Sequence, residues 1–321
     1  MSDSAGGVRS GEAGSDEVLD REIPPEVLEA LEEMPSDDEV APERDSVARL
    51  ISVLDLEPTG TDRFRASKGQ MTPGNRVFGG QVAALALHAA SATVGPEHAA
   101  HSMHAYFVRP GRNGVPIDLE VERTRDGRSF TTRRVLALQE DEVIFEMSAS
   151  FHQHEAGRDY QLGLPAGITG PDDTAEGSII MPESMRARLP VEMREIGRSG
   201  PDEHGWYEST RRVWMRIKRR VGDDPVLHQS LIAYLSDMGA MFGALAPPED
   251  GGFPRLAMGA SLDHAVWFHR PMRADEWFLY DLHAVSNASS RGLARGTMHT
   301  VDGVLGASVA QEALLRLNPP G

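Results

Sequence analysis

Cysteine is absent from the 321-residue chain. That absence removes thiol nucleophiles, thiolate metal sites and disulfide staples together. Long apolar runs are missing too: nowhere do eighteen apolar residues follow one another, so no segment reads as a membrane span. The N-terminus lacks the basic-then-apolar order of a secretory signal, and a cytoplasmic protein is expected. Positive charge is scarce, with 32 Lys and Arg against 49 Asp and Glu and a net charge of −17. Such a chain repels phosphate backbones and no Lys/Arg-rich stripe reverses the field, so nucleic acid is not an expected partner. Aromatics make up only 6% of the residues. Even so, 40% are hydrophobic and 25% charged, enough for a sizeable core in one large or two average domains.

The acidity is unevenly placed. Residues 1–47 hold fifteen Asp and Glu against Arg9, Arg21 and Arg44, so they carry −12 of the net charge and leave −5 for the remainder. Rich in Gly, Ser and Pro, this stretch reads as a disordered acidic tail; residues 26–33, after Ile23-Pro24-Pro25, have a short docking helix as their alternative. From Ser46 the pattern changes. Val47, Leu50, Ile51 and Leu54 recur at helical spacing, and residues 63–66 read as a first strand. Gly79 and Gly80 then open an uncharged run to Val94, too apolar for a surface helix, which predicts a buried one. Strand-like runs follow at 102–108, 117–125, 129–139 and 142–152, separated by turn signals such as Arg125-Asp126-Gly127. The same order recurs: strands at 191–196 and 211–218, a nearly uncharged helix over 227–245, and strands at 256–268, 276–285, 292–301 and 305–315. Phe107-Val108-Arg109-Pro110 returns as Phe268-His269-Arg270-Pro271, 161 residues on. Two copies of one unit are expected, at 48–153 and 183–321, joined by a Gly/Pro/Asp-rich linker at 154–182.

Between Val226 and Pro248 the only side chain charged at neutral pH is that of Asp237. On a continuous helix it falls on a flank beside Tyr234 and Met241, too far inside to act as a cap. A buried carboxylate is costly unless hydrogen bonds offset it, so Asp237 is either structurally satisfied or functional. Gln311 shares a strand face with Leu305, Val309, Ala313 and Leu315, and Ser261 follows Met258-Gly259-Ala260. Each is odd for pure packing, although an amide bonded to backbone and a small strand residue are the plain alternatives. Asp263, on the same strand face as Ser261, is the rival acid, with a turn anchor or a pairing to Arg270 as its alternatives. There is no G-x-S-x-G elbow and no Walker or Rossmann glycine pattern. The pairs His152/His154, His101/His104 and His264/His269 lack H-E-x-x-H or a matched carboxylate set, so they read as structural or surface residues and no metal is expected.

Phe78-Gly79-Gly80-Gln81, Tyr106-Phe107-Val108-Arg109-Pro110-Gly111, Asp126-Gly127-Arg128-Ser129-Phe130, Asp263-His264 and Trp267-Phe268-His269-Arg270-Pro271 occur in this order. Together, from about residue 48 to the C-terminus, they resemble the acyl-CoA thioesterase II family. The resemblance implies an α+β double hotdog, two repeats each with a long apolar helix wrapped by an antiparallel β-sheet, and hydrolysis of fatty acyl-CoA to free acid and CoA. It implies a catalytic trio of Asp, Ser or Thr, and Gln in the second repeat, matched by Asp237, Ser261 and Gln311. A carboxylate, a hydroxyl and an amide can hold one water, with Asp237 taking its proton as it attacks the thioester; no covalent acyl-enzyme is needed. Backbone N–H groups at Gly79, Gly80 and Gln81 are candidate oxyanion donors. Arg109, Arg128, Arg270 and Arg291 are candidates for the CoA phosphates, against an ordinary surface role. Met103, Tyr106, Met238, Met241 and Phe242 are candidate liners of an acyl tunnel. CoA enters as part of the substrate, so no separate cofactor is expected, and a homo-dimer or homo-tetramer is implied. The competing readings are a non-catalytic acyl-CoA sensor and a hotdog hydratase or dehydratase.

Overall fold

The computed structural model describes residues 46–66, 75–177, 183–196, 211–245 and 256–317. The acidic tail to residue 45, with its candidate helix at 26–33, and the last five linker residues lie outside the described residues.

The chain enters as a short helix, α1 (Ser46–Val53), whose Val47, Leu50 and Val53 are buried as their spacing predicts. A hairpin of β1 (Glu57–Gly60) and β2 (Arg63–Ala66) follows. The uncharged run becomes α2 (Gly79–Ser91), buried around nearly its whole circumference. Its alanines and glycines let neighbours approach from every side, and each fully enclosed leucine contributes roughly 1.5–3 kcal/mol. Then come β3 (His98–Phe107), β4 (Ile117–Asp126), β5 (Phe130–Gln139) and β6 (Glu142–Gln153), with side chains alternating in and out along β5 and β6.

The linker carries one 3-10 turn at Pro171–Asp173. Otherwise it is strapped onto the second half by hydrogen bonds: Trp214 Nε1 donates to Thr169 O at 2.8 Å, and Gln161 Nε2 to Gly303 O at 2.7 Å. After it come α3 (Glu183–Arg188), β7 (Val191–Ile196), β8 (Arg211–Ile217), α4 (Pro225–Ser236) and the single turn α5 (Ala240–Gly243). The chain finishes with β9 (Leu256–Ser261), β10 (Asp263–Phe268), β11 (Phe278–Ala288), β12 (Arg291–Thr300) and β13 (Leu305–Leu317).

The thirteen strands among the described residues belong to one antiparallel sheet in the order β1-β2-β4-β5-β6-β3-β10-β13-β12-β11-β8-β7, with β9 paired to the far end of β13. β3 and β10 form the seam between halves. Outward from it the strand order is repeated, β6-β5-β4-β2 on one side and β13-β12-β11-β8 on the other. The two apolar helices pack against each other, and Gly80 lies at their contact: a Cβ there would stand 2.4 Å from Tyr234 O. No helix among the described residues is long and apolar enough to cross a membrane.

Two elements expected to be continuous are broken. The helix over 227–245 ends at Ser236, because Gly239 takes a left-handed conformation (φ 80°) that starts a separate turn. The strand over 256–268 is interrupted at Leu262, with β9 and β10 on either side. Both breaks fall at the site described next.

Candidate active site

Asp237 owes its position to the first break. Asp224 caps the start of α4, accepting from Val226 N at 3.0 Å, and Pro225 occupies the first turn, where no backbone donor is needed. Twelve residues later the helix stops, and Asp237 is its C-cap rather than a mid-helix flank residue. The side chain is 6% exposed. Its Oδ1 accepts a hydrogen bond from Ser261 Oγ at 3.2 Å. Its Oδ2 faces the first turn of α2: a Cβ on Gly79 would lie 2.8 Å from it. A carboxylate at the negative end of its own helix is poorly placed, and the positive end of α2 opposite compensates it.

Ser261 and Gln311 come from the second break. β13 pairs with β10 in one register, Ala265 opposite Ala310, and with β9 in another, Ser261 opposite Ala313, so one extra residue is inserted between Ser261 and Ala265. This is a β-bulge, which re-aims side chains beside it. Gln311 Nε2 donates to Ser261 Oγ at 2.8 Å, completing a chain of contacts to Asp237. The same bulge corrects the reading of Asp263 as the rival acid sharing Ser261's face. Its Oδ1 is occupied by Glu312 N at 2.6 Å, and it does not pair with Arg270. The inward position passes to His264.

His264 is fully enclosed, and sequence reasoning left it among the structural histidines. Its Nδ1 lies 2.6 Å from Gln311 Oε1 and its Nε2 2.7 Å from Ser236 Oγ. The Ser236 backbone is pinned in turn, accepting from Tyr280 Oη at 2.7 Å. Burial holds the imidazole below its ordinary pKa, against the opposing pull of the Asp237 carboxylate. Asp237, Ser261, Gln311, His264 and Ser236 thus form one connected polar network inside an apolar core, drawn from α4, both sides of the bulge, and β13.

The other candidates are distributed differently. Among the three proposed N–H donors, that of Gln81 is turned back to Phe78 O at 3.1 Å. Gly79 and Gly80, at the first turn, have no intrahelical acceptor to use. Gly80's missing side chain serves the approach of α2 to α4, whereas Gly79's makes room for Asp237 and the Phe107 ring. Buried Gln81 Oε1 and Tyr234 Oη have no hydrogen-bond partner, and the Tyr234 ring packs edge-on against Phe78 at 5.1 Å. Three of the four arginines are engaged by the chain itself. Arg109 donates to Val143 O, Arg270 to Leu305 O and Asp159, and Arg291 to Glu312 Oε1. Arg128 is exposed at its turn. Met103 and Met238 are buried and Met241 and Phe242 half-buried, but Tyr106, 60% exposed on the sheet's other face, does not line the interior. No group of three or more His, Asp and Glu among the described residues is placed to hold a metal ion.

Comparison with known proteins gives a consistent result. Residues 67–152 match the model of the acyl-CoA thioesterase N-terminal domain, and residues 198–314 that of acyl-CoA thioesterase. Human acyl-coenzyme A thioesterase 8 is 33% identical over 289 residues, covering 84% of this chain and 89% of the relative. Among solved structures, the acyl-CoA thioesterase II TesB2 from Mycobacterium marinum superposes with a TM-score of 0.70 at 36% identity, covering 85% of this chain and 98% of that one. A hot dog protein of unknown function from Alicyclobacillus acidocaldarius, 19% identical, superposes with a TM-score of 0.67 over 85% of this chain and 98% of its own; it supports the fold alone. With both halves matched in order and the relatives spanned almost end to end, the chain belongs to the acyl-CoA thioesterase II family of acyl-CoA thioester hydrolases.

Proposed function

We propose that this protein hydrolyses fatty acyl-CoA thioesters to free fatty acid and CoA, with Asp237 as general base and Ser261 and Gln311 holding it and the attacking water. The single observation that carries the reading is the arrangement of the Asp237 carboxylate. Oδ1 is held by the Ser261 hydroxyl, which is itself held by Gln311, while Oδ2 faces the positive end of α2. A water on Oδ2 attacks the thioester carbonyl carbon, and Asp237 takes its proton. Negative charge grows on the carbonyl oxygen, where the free N–H groups of Gly79 and Gly80 and the helix dipole stabilise it. Collapse of the tetrahedral species breaks the C–S bond, and the departing CoA thiolate recovers the proton from Asp237. The reaction so written consumes only water and passes through no acyl-enzyme.

The test is CoA release from acyl-CoA thioesters of increasing chain length, by the wild type and by Asp237→Asn, with binding measured alongside. Release by the wild type, lost in a variant that still binds, supports the reading and gives the chain-length preference. Tight binding with no release at any length would make the protein a sensor and overturn it.

A further inference from the structure

We propose that His264, backed by Ser236, is a positioning residue that sets the amide orientation of Gln311 and thereby commits the Ser261 hydroxyl proton to Asp237. This rests on the assignment of Asp237, Ser261 and Gln311 given above and extends it by one shell.

The argument counts protons from the carboxylate outward. An ionised Asp237 can only accept, so the hydrogen bond at Oδ1 uses the one proton on Ser261 Oγ. With that proton spent, the 2.8 Å contact between Ser261 Oγ and Gln311 requires Gln311 to donate from Nε2. The amide is planar, so its Oε1 must then face His264 Nδ1, 2.6 Å away, and Nδ1 must carry a hydrogen. Burial keeps the imidazole neutral, which leaves Nε2 bare. Nε2 can accept only from Ser236 Oγ, at 2.7 Å, so that hydroxyl turns to the ring rather than to Ala233 O at 2.9 Å. Every proton in the chain Ser236, His264, Gln311, Ser261 points toward Asp237, and polarised bonds in series reinforce one another.

The opposite tautomer gives a different site. With the proton on Nε2, Ser236 returns to Ala233 O, Nδ1 becomes an acceptor, and Gln311 must rotate to offer it N–H. Gln311 Oε1 would then claim the Ser261 proton, and the Ser261 oxygen would face Asp237 Oδ1 with nothing between them. A carboxylate in that state loses its anchor and its aim at the water.

The test separates this role from simple packing with two replacements of similar bulk. In His264→Asn the side-chain amide nitrogen takes the place of Nδ1 and keeps the donor to Gln311. In His264→Gln the amide reaches only the Nε2 position, which keeps Ser236 but not Gln311. His264→Asn should retain kcat to within about fivefold, whereas His264→Gln should lose roughly a hundredfold, the loss expected when a reacting group is misplaced by about 1 Å. KM should stay unchanged in both. Equal kcat in the two folded variants would overturn the proposal. Nitrogen-15 NMR of histidine-labelled wild type supplies the second readout, with the His264 signal assigned through its loss in either variant. A neutral Nδ1–H ring at pH 7 is expected; an Nε2–H ring or an imidazolium would overturn it. If Asp237→Asn turned over normally, the site assignment would fail instead, an outcome distinct from equal kcat in the His264 pair.

Discussion

Gly79→Ala should separate catalysis from stability more sharply than any other single-methyl change. Its Cβ would stand 2.6 Å from an edge carbon of the Phe107 ring and 2.8 Å from Asp237 Oδ2. Ordinary contact needs about 3.5–4.0 Å, so each neighbour must retreat by about 1 Å. The Phe107 ring, only partly buried, can swing aside. Asp237 cannot move so freely, because Oδ1 is tied to Ser261 and through it to Gln311. Overpacking of this kind costs about 1–3 kcal/mol, and replacing a helical glycine by alanine returns roughly 0.5–1 kcal/mol. The net destabilisation is therefore about 0–2.5 kcal/mol, visible as a fall in Tm of a few degrees for a chain of this size. Turnover should suffer far more, because the displaced carboxylate is the proposed base and a shift of about 1 Å costs on the order of a hundredfold. The assay is kcat and KM for CoA release, with a thermal melt of the same preparation. A Gly79→Ala protein with wild-type kcat would refute the placement of Asp237 against the start of α2.

Gly80→Ala is expected to behave in the opposite sense. Its Cβ would meet the backbone oxygen of Tyr234 at 2.4 Å, which cannot swing aside as the Phe107 ring can, so after the same helical-alanine gain stability should fall by about 2 kcal/mol in a denaturant titration, toward the upper end of the range for Gly79→Ala. Asp263→Ala tests the rival acid. Removing the acceptor for Glu312 N should cost about 1–3 kcal/mol of stability while turnover persists, and a folded variant with no turnover would mean that the wrong aspartate has been named the base. Acid should destabilise the fold through two histidines whose neutral form the folded chain favours, His264 fully enclosed and His88 partly buried. Burial lowers the pKa of His88 and of His264, so between the folded value and the unfolded value near 6.5 the unfolded chain binds more protons. Stability is then full above about pH 6.5 and falls as pH drops, by up to about 1.4 kcal/mol per pH unit for each histidine. Denaturant midpoints from pH 7 to 5 should follow that slope, and His88→Gln should flatten it; an unchanged slope in that variant would remove His88 from the account.

The elements most legible in the sequence are those whose pattern no local exception disturbs. Val47, Leu50 and the next turn gave α1, the charge-free stretch after Gly80 gave α2, and strict alternation placed β5 and β13 within two residues. Asp237 stood out because a lone carboxylate in an apolar stretch is costly, and Gln311 because it broke the inward face of β13. Helical periodicity alone nevertheless puts Asp237 in a helix interior, although Gly239, two residues on, carries the signal of a helix end. His264 was missed for a stronger reason. Strands alternate with a period of two, so Ser261 and Asp263 should share a face and His264 should lie opposite them. The bulge overrides that period, and nothing in the residues at 261–265 announces it. Its consequence is the polar network of the candidate site: Gln311 can hold Ser261 with its nitrogen and His264 with its oxygen only if residues three apart both turn inward. A regular strand cannot supply that geometry. The departure from periodicity that defeats the sequence reading is thus the feature that brings the polar network together, as expected where a fold gives up local regularity to build a site.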